Sequence, residues 1–280
     1  MEAPCVAAPL PDSWVVGHGL LGSALADALR KSGTRVLTLD ATAPADVMGD
    51  AAEPAVLQRA LSLLVPEVVF FCQATGGGTA QAYRHAYGDV VNQLTARVPA
   101  ARSVFCSSVS VYGAVCGIAD EETLPITPSE RAQVLLATES ALHKCGGVVL
   151  RLAALYGPDR CEVLRRHLAG EPRLPGGDDR LLSYLHVDDA VAALLLAARD
   201  AEPGSCLNVS GESIRWDSLY EQLASVTGVM PAAEISAASR RGLSDRYIDC
   251  TRLRKLGWEP QMNLRRFAEQ FAEKFVTDAP

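Results

Sequence analysis

Residues 13–40 read SWVVGHGLLGSALADALRKSGTRVLTLD and contain the pattern that decides the fold. The stretch opens with apolar residues, passes through three glycines, and then carries a leucine at every fourth position from Leu21 to Leu29. Leucines at this spacing predict an amphipathic helix, and Gly33 is well placed to end it. Residues 34–39 predict a second strand, which closes on Asp40. A strand, a helix and a strand within about 30 residues form a βαβ unit, which closes a parallel pair.

The alternation of strands and helices continues beyond this unit. Strand candidates occupy residues 67–72, 103–107 and 147–152, and helix candidates occupy residues 55–64, 80–96 and 131–143. Apolar runs without polar alternation are typical of strands that are covered on both faces. The sequence therefore predicts an α/β fold with a doubly wound parallel sheet of the Rossmann type and a smaller, interleaved C-terminal lobe. Residues 240–260 are rich in charge and are interpreted as a loop.

The composition limits the classes of partner. The chain has 280 residues, a formal net charge of −7 and 49% hydrophobic residues. A net-acidic chain without a basic block is a poor candidate for binding nucleic acid or an anionic membrane surface. The apolar run at residues 190–198 is shorter than the roughly 18 residues of a membrane helix. The eight cysteines form no CxxC pattern and no Cys/His cluster, which favours free thiols in a reducing cytoplasm and no metal site.

The three glycines have the Gly-x-Gly-x-x-Gly spacing of a dinucleotide-binding turn and lie between a predicted strand and a predicted helix. Gly17 permits the tight turn, Gly19 lets the backbone approach a pyrophosphate, and Gly22 lets the helix pack closely on the strand. The helix N-terminus then offers free N–H groups to the phosphates. In the alternative interpretation the glycines serve only a tight turn. The residues expected to contact the cofactor here are Gly17, His18, Gly19, Leu20, Leu21 and Gly22.

Two aspartates are candidates for the adenosine end of the cofactor. Asp40 ends the second predicted strand, where a carboxylate accepts hydrogen bonds from both ribose hydroxyls and repels a 2′-phosphate. No arginine or lysine follows in residues 41–43, so the pattern favours NAD(H) over NADP(H). In the alternative interpretation Asp40 caps a loop. Asp50 either contacts the adenine edge or caps the helix that begins near Pro54.

The segments that follow the next two predicted strands complete the expected cofactor site. Residues 73–78 read QATGGG, and the backbone of Gln73, Ala74 and Thr75 is expected to line the nicotinamide ribose. The glycines there permit close approach. Ser107 is a further cofactor contact, and Ser108 projects from the C-terminal end of its strand, where ligands bind in such folds.

Several motifs together resemble those of extended-type short-chain dehydrogenases/reductases, the NAD-dependent epimerase/dehydratase superfamily. They are, in order, CSSVSVYG at residues 106–113, LRL at residues 150–152, LYGP at residues 155–158, YLHVDDA at residues 184–190, LNVS at residues 207–210 and LGWEP at residues 256–260. The resemblance covers most of the chain. It implies a Rossmann-type fold, NAD as the cofactor, a small polar substrate such as a nucleotide sugar, and dimers formed through the helices around residues 80–96 and 131–143.

The family's Tyr-x-x-x-Lys pair is missing from the helix that normally carries it. Residues 113–155 contain no tyrosine, and taking Glu139 as the family glutamate places Arg131 and Leu135 at the tyrosine and lysine positions. The glycine spacing of the turn also departs from the Gly-x-x-Gly-x-x-Gly of extended members. The resemblance is therefore to an atypical branch that lacks the pair, and its active site is expected to be altered.

Three residues remain as candidates for the chemistry. Ser108 matches the family's serine or threonine and either polarises a substrate oxygen or satisfies loop backbone groups. Tyr112 is either a substitute phenol or, as we favour, a structural aromatic. Arg131 is either a fixed cation that stabilises an oxyanion or a solvated arginine on a helix face.

The second half of the chain contains two charged groups of residues. One consists of Arg160, Arg165, Arg166, Arg173 and Arg180, which either bind a phosphate or carboxylate of the substrate or form a salt-bridged surface with Glu162, Glu171, Asp178 and Asp179. The other consists of His186, Asp188 and Asp189. We interpret it as a structural junction between a loop and a helix, because a third metal ligand is missing.

These observations predict a domain organisation and a function. A flexible leader is expected at residues 1–13, an NAD-binding Rossmann domain at residues 14–158 with residues 181–210 returning to it, and a substrate lobe at residues 159–180 and 211–280. The expected function is that of a cytoplasmic, homodimeric NAD(H)-dependent oxidoreductase or epimerase/dehydratase-like enzyme with a small-molecule substrate. The alternative is a non-catalytic NAD-binding sensor or partner protein that retains the fold.

Overall fold

The computed structural model describes residues 9–75, 77–171, 180–230 and 245–277. Its strands are β1 (Ser13–Val16), β2 (Val36–Asp40), β3 (Val47–Met48), β4 (Val68–Phe71), β5 (Arg102–Ser108), β6 (Gly117–Ala119), β7 (Val148–Leu152), β8 (Ala154–Tyr156), β9 (Leu181–His186), β10 (Cys206–Val209), β11 (Glu212–Arg215) and β12 (Arg246–Ile248). Seven of them form the central sheet, in the order β10-β7-β5-β4-β1-β2-β3. The pairs β1–β2, β1–β4, β2–β3 and β4–β5 are parallel. The predicted Rossmann-type α/β fold is confirmed.

The helices alternate with these strands. They are α1 (Leu20–Lys31), α2 (Pro54–Leu63), α3 (Ala80–Tyr83), α4 (Val90–Arg97), α5 (Glu130–Lys144), α6 (Glu162–Leu168), α7 (Val187–Asp200), α8 (Trp216–Thr227), α9 (Thr251–Lys255) and α10 (Leu264–Thr277). The predicted helix at residues 80–96 consists of α3, a π-helical segment at Arg84–Asp89, and α4. None of the helices in the described part of the chain has the length and apolar character that a membrane crossing requires.

The chain divides into two compact units. The first contains the described residues of Met1–Ser108, Ser129–Arg151 and Val191–Leu207, and the second contains those of Val109–Pro128, Leu152–Ala190 and Asn208–Pro280. The assignment of cofactor binding to residues 14–158 and of substrate binding to the remaining lobe stays a prediction.

The predicted flexible leader needs a correction at its end. Residues 1–8 lie outside the described residues, but the following residues are held in place. The backbone N–H of Leu10 donates to Thr34 Oγ1 at 2.9 Å, and Asp12 forms an ion pair with Arg35. Ser13 is already the first residue of β1. Burial of the adjoining strand imposes this order, because a buried strand needs its neighbouring backbone groups to be paired.

The core of the first unit follows from the apolar runs. Every residue of β1 and β4 is buried, as expected for central parallel strands. Leu25 and Leu29 of α1 are fully buried, which confirms the helical periodicity. The largest side chain, Trp14, is also fully buried, and its Nε1 donates to the carbonyl oxygen of Leu64 at 3.0 Å. This bond satisfies the one polar atom of the indole within the core.

The second unit has its own apolar cluster and two small sheets. The cluster joins α6, α8 and α10 through residues such as Leu164, Leu219 and Phe267. One sheet has the order β11-β9-β8, and the other pairs β12 with β6. The interpretation of residues 240–260 as a loop is wrong for β12 and α9. Each is at most five residues long, too short to produce a periodic pattern in the sequence, and β12 also takes its pairing from the distant β6.

Candidate functional site

The glycine turn connects β1 to α1, and its three glycines differ in what a side chain at each position would contact. Gly17 has a φ of +93°, and a Cβ there would lie 2.5 Å from the backbone N of Gln73. A Cβ at Gly22 would lie 1.8 Å from the carbonyl oxygen of Gly17. A Cβ at Gly19 would meet nothing within 4 Å. The fold itself therefore requires the first and third glycines, whereas the second leaves open space above the backbone, as the approach of a ligand requires.

The N-terminus of α1 is suited to an anion. Gly19 is its N-cap residue, no side chain caps it, and its first turn contains no acidic residue. The first N–H groups of a helix have no partner within the helix, and the helix dipole gives this end a partial positive charge. Gly19 is exposed, while Leu21 and Gly22 are buried. The turn thus fits the diphosphate of a dinucleotide at the exposed backbone of positions 18–20.

Asp40 lies at the end of β2 and faces the turn. Its Oδ2 accepts a hydrogen bond from the backbone N–H of His18 at 2.6 Å, and its Oδ1 accepts from the N–H groups of Thr42 and Ala43, each at 2.7 Å. Burial would raise the pKa of Asp40, but these hydrogen bonds outweigh it and hold the pKa below its usual range. The carboxylate therefore caps its own loop and also joins that loop to the turn. Oδ2 keeps acceptor capacity for a ribose hydroxyl.

Asp50 has a partner that sequence reasoning missed. Its Oδ2 lies 2.6 Å from His85 Nε2, and its Oδ1 accepts from the N–H of Ala52 at 2.8 Å. The N-cap of α2 is Glu53, so the interpretation of Asp50 as that cap is wrong. The hydrogen bond that His85 donates to Asp50 is the largest contribution that raises the pKa of His85. His85 comes from the π-helical segment, which no periodicity in the sequence distinguished from an ordinary helix.

The loop after β4 approaches the turn from the other side. The backbone of Gln73 touches Gly17, and Gln73 Nε2 donates to the carbonyl oxygen of Ala86 at 2.9 Å. Gln73 Oε1 is buried without a hydrogen-bond partner among the described residues. Ala74 is exposed and Thr75 lies beside Tyr87, whose pKa burial raises to about 12. A buried acceptor without a partner at the end of a sheet strand is consistent with a missing polar ligand.

Ser107, a predicted cofactor contact, belongs to a buried polar network. Its hydroxyl donates to Glu139 Oε1. Arg151 donates to the same carboxylate through Nε at 3.1 Å and through a second guanidinium nitrogen at 2.7 Å. The Glu139 and Arg151 side chains are only 7% and 11% exposed. The Ser107 hydroxyl has therefore committed its one hydrogen to Glu139, and it could contact a cofactor only as an acceptor.

The two catalytic candidates differ in exposure. Ser108 is the last residue of β5 and is partly exposed. Tyr112 is fully buried, and its hydroxyl donates to Asn208 Oδ1 at 2.7 Å. This geometry favours the structural alternative for Tyr112, since a phenol without exposure has no access to a substrate. The catalytic role of Ser108 stays a prediction.

The helix on which the family's tyrosine–lysine pair is predicted to be missing is α5. Leu135 is only 3% exposed and packs in the core. Arg131 is exposed, donates to the carbonyl oxygen of Gly77 at 3.1 Å, and lies 5.8 Å above the ring of Tyr83. Arg131 therefore connects α5 with the loop after β4, and it is a fixed cation at the edge of that loop. Gly76, the other glycine singled out in this loop, lies outside the described residues.

His186, Asp188 and Asp189 lie at the junction predicted from the sequence. His186 Nδ1 accepts from the N–H of Asp188 at 3.2 Å. Asp189 is buried and its carboxylate accepts from the N–H groups of Gln261 and Met262, at 2.8 and 3.1 Å. Asp189 thus holds the segment before α10 rather than the end of its own helix. Across the described ranges, no three His, Cys, Asp or Glu side chains converge as metal ligands.

The arginine group divides into two kinds. Arg165 and Arg166 form ion pairs with Glu162 and Glu171, which favours the salt-bridged surface for these two. Arg180 is half-buried, lies 5.8 Å from the ring centroid of Trp216, and makes no ion pair with any described residue. Burial lowers the pKa of Arg180. Arg173, Asp178 and Asp179 lie outside the described residues.

A parallel Rossmann-type sheet with a glycine turn before its first helix defines a nucleotide-binding α/β protein. The chain belongs to the NAD dependent epimerase/dehydratase family, which matches residues 14–210. The predicted family and NAD as the cofactor are thereby confirmed. Membership of this family is consistent with an enzyme of that kind and does not favour the non-catalytic alternative. The roles of the individual site residues stay predictions. The assignment to a branch of the family that lacks the tyrosine–lysine pair also stays a prediction.

Three relatives illustrate the range of the family. The chain is 32% identical to Protein YeeZ of Escherichia coli (strain K12) over 188 residues, which cover 64% of this chain and 65% of that protein. It is 33% identical to a 3-diazoavenalumate denitrifying reductase of Streptomyces sp over 233 residues, 71% and 73% of the two chains. The structure of MoeE5 in complex with UDP-glucose and NAD has a TM-score of 0.79 at 25% identity and covers 95% of this chain and 98% of MoeE5. The chain spans 28% to 65% of the length of the first curated relatives it matches.

Proposed function

We propose that the protein is an NAD(H)-dependent oxidoreductase or epimerase-like enzyme that acts on a nucleotide sugar. The observation that carries the proposal is the open space at Gly19, beside the uncapped N-terminus of α1. The space has no role in packing, whereas it suits a diphosphate. MoeE5, a structural relative of similar size, is known in complex with UDP-glucose and NAD.

The residues around the turn fit NAD at both of its ends. Asp40 and the loop at Asp50 would hold the adenosine, and the Asp40 carboxylate would repel the 2′-phosphate of NADP. Gln73 and Thr75 would face the nicotinamide ribose, where the buried Oε1 of Gln73 supplies a free acceptor. Bound NAD would supply or accept a hydride at its nicotinamide ring.

The substrate would be anionic. Arg180 is a half-buried cation that has no carboxylate partner in the described chain. The pKa of the Arg246 guanidinium is lowered mainly by burial, and the nearby charge of Arg180 lowers it further. An unpaired, partly desolvated cation is costly, so a phosphate or carboxylate bound there would remove that cost. The buried Nε1 of Trp216, which has no partner among the described residues, adds a donor beside Arg180.

A second candidate function is the reductive removal of a diazo group. The predicted alignment puts Arg131 and Leu135 at the positions where the family's tyrosine and lysine would move a proton. Hydride addition to an aryl diazonium ion gives the arene and dinitrogen, so it needs no proton from the enzyme. The Streptomyces relative is a denitrifying reductase of a diazo compound, which supports this candidate. NADH oxidation with 4-carboxybenzenediazonium, measured against the uncatalysed reaction, distinguishes it from sugar chemistry.

Cofactor binding is tested at Gly19. Gly19→Ala places a methyl group where no atom of the protein lies, so the variant should keep the thermal midpoint of the free protein. The methyl group would occupy the space of the diphosphate, and we expect NAD affinity to fall by about tenfold or more, or about 1.4 kcal/mol. Isothermal titration calorimetry with NAD, NADH and NADPH measures this loss and the preference for NAD(H).

Gly88→Ala is the matched control, because a Cβ at Gly88 also meets nothing within 4 Å and lies away from the turn. It should bind NAD as the wild type does. The proposal would be refuted if the wild type bound no dinucleotide, or if Gly19→Ala bound NAD with unchanged affinity. Ser108→Ala then tests the reaction itself, since it should retain NAD binding and lose turnover of UDP-glucose.

Two further features are part of the proposal. Homodimers would form through the π-helical segment, α4 and α5, which line a groove of about 600 Å³ with residues that include Arg84, Asp89, Glu130 and Gln133. Light scattering of the purified protein tests this assembly.

A cytoplasmic location would agree with the seven free cysteines in the described structure.

A further inference from the structure

Two thiols lie side by side in the central sheet of the first unit. Cys72 directly follows β4, Cys106 lies within β5, and their sulfur atoms are 3.7 Å apart. The parallel pairing sets Phe71 opposite Phe105, so Cys72 and Cys106 are the next residues along the two strands. Neighbouring strands are about 4.8 Å apart, within the range of Cα separations that a disulfide spans.

The same two residues lie next to the expected cofactor site. The N–H of Cys72 donates to the carbonyl oxygen of Val16 at 2.7 Å, and a Cβ at Gly17 would lie 2.7 Å from the carbonyl carbon of Cys72. Cys106 directly precedes Ser107, whose hydroxyl is fixed by Glu139. A movement of either thiol is therefore transmitted to the glycine turn or to the end of β5.

We propose that Cys72 and Cys106 form an oxidisable dithiol, and that its disulfide weakens dinucleotide binding at the adjoining turn. The effect on the dinucleotide rests on the proposed function, whereas formation of the disulfide does not. The site would be regulated by an oxidant of the peroxide class.

The reaction with hydrogen peroxide proceeds in two steps. The sulfur of Cys106, the more exposed of the two, attacks one peroxide oxygen; the O–O bond breaks, water leaves, and Cys106 becomes a sulfenic acid. The sulfur of Cys72 then attacks that sulfur, the S–S bond forms, and the S–O bond breaks to release a second water. In total, the two thiols lose two protons and two electrons, and one peroxide takes these up and becomes two waters.

The geometry of the two thiols affects both the rate of their oxidation and the reversibility of the disulfide. The hydrogen bond with Cys72, together with burial, raises the pKa of Cys106. Only a small fraction of Cys106 is therefore thiolate at neutral pH, and oxidation should accelerate as the pH rises. The separation of the two sulfur atoms must decrease from 3.7 Å to about 2.05 Å. This change pulls on two strands whose spacing is fixed by their backbone hydrogen bonds. A disulfide formed under such constraint is readily reduced.

The test treats the full-length protein with hydrogen peroxide, maps disulfides by peptide mass spectrometry, and titrates NAD before oxidation, after oxidation and after dithiothreitol. We expect a Cys72–Cys106 link, a loss of NAD affinity of about tenfold, and recovery on reduction. Cys72→Ser and Cys106→Ser should each bind NAD equally with and without peroxide. The matched control is a double variant of two exposed cysteines, Cys116→Ser with Cys145→Ser, which should respond as the wild type does.

The absence of this link after oxidation would overturn the proposal, and so would a linked protein with unchanged NAD affinity. Failure of the reduced wild type to bind NAD would instead refute the proposed function. The mass map would still decide whether the dithiol exists.

Discussion

Replacing Glu139 by leucine is expected to be among the most damaging single changes in the first unit. Glu139 accepts hydrogen bonds from Ser107 and from two guanidinium nitrogens of Arg151. Leucine is close to glutamate in volume, so the substitution creates no large cavity. It leaves a guanidinium that is only 11% exposed without its counter-ion. Removing one partner of a buried ion pair typically costs about 3–5 kcal/mol.

The surroundings of Glu139 and Arg151 place the expected loss of stability at the lower end of this range. A cavity of about 240 Å³ is lined by both Glu139 and Arg151, and water in it can hydrate part of the orphaned guanidinium. The lost hydrogen bond from Ser107 adds about 1 kcal/mol. We therefore expect a decrease of about 4 kcal/mol in the free energy of unfolding, a large part of the roughly 5–15 kcal/mol typical of proteins.

Urea denaturation followed by tryptophan fluorescence and circular dichroism measures the change. The control variant is Glu162→Leu, which breaks an ion pair with Arg165 where both side chains are more than a third exposed, and it should cost less than about 1 kcal/mol. The double variant Glu139→Leu with Arg151→Leu removes both charges and should recover most of the loss. A single variant as stable as Glu162→Leu, or a double variant no better than the single one, would refute the reasoning.

Three further changes follow from the structure. His85→Gln should destabilise the protein at about pH 5.5 and much less at about pH 8.5. The bond to Asp50 raises the pKa of His85, so the stabilisation by this pair is complete below the unfolded pKa and disappears as the pH rises through the folded pKa. A loss of thermal midpoint that is equal at both pH values would contradict this. Tyr112→Phe leaves Asn208 Oδ1 without its phenol donor and should cost about 1–2 kcal/mol in urea denaturation, an expectation that an unchanged midpoint would disprove. Gly22→Ala should abolish soluble expression, because its methyl group would lie 1.8 Å from the carbonyl oxygen of Gly17, and a folded variant would count against the turn geometry.

The fold could be predicted because its signals are local. The leucine spacing of α1 and the unbroken apolar runs of β1 and β4 each lie within one short segment, and burial follows from them. The glycine turn is local as well, so its position and its three different glycine roles could be inferred from spacing. The short β12 and α9 could not, since β12 pairs with a strand more than 100 residues earlier and Arg252 of α9 donates to Glu122 in the segment after that strand.

The candidate site was predictable only where one residue acts alone. Asp40 was placed correctly at the end of β2, and its bond to Ala43 is local, but its bond to His18 depends on how two loops meet. The pair of His85 with Asp50 joins residues that are 35 positions apart, and nothing in either neighbourhood indicates the other. The burial of the Tyr112 hydroxyl against Asn208 likewise depends on tertiary packing, which spacing cannot reveal.

The different steric positions of the three glycines have an evolutionary consequence. Gly17 and Gly22 are held by contact with the protein's own backbone, while Gly19 borders empty space. A descendant that no longer used a nucleotide would still need the first and third glycines in order to fold, and only the middle one would be released from selection. Drift confined to that middle position would therefore mark homologues that have abandoned the ligand but kept the architecture.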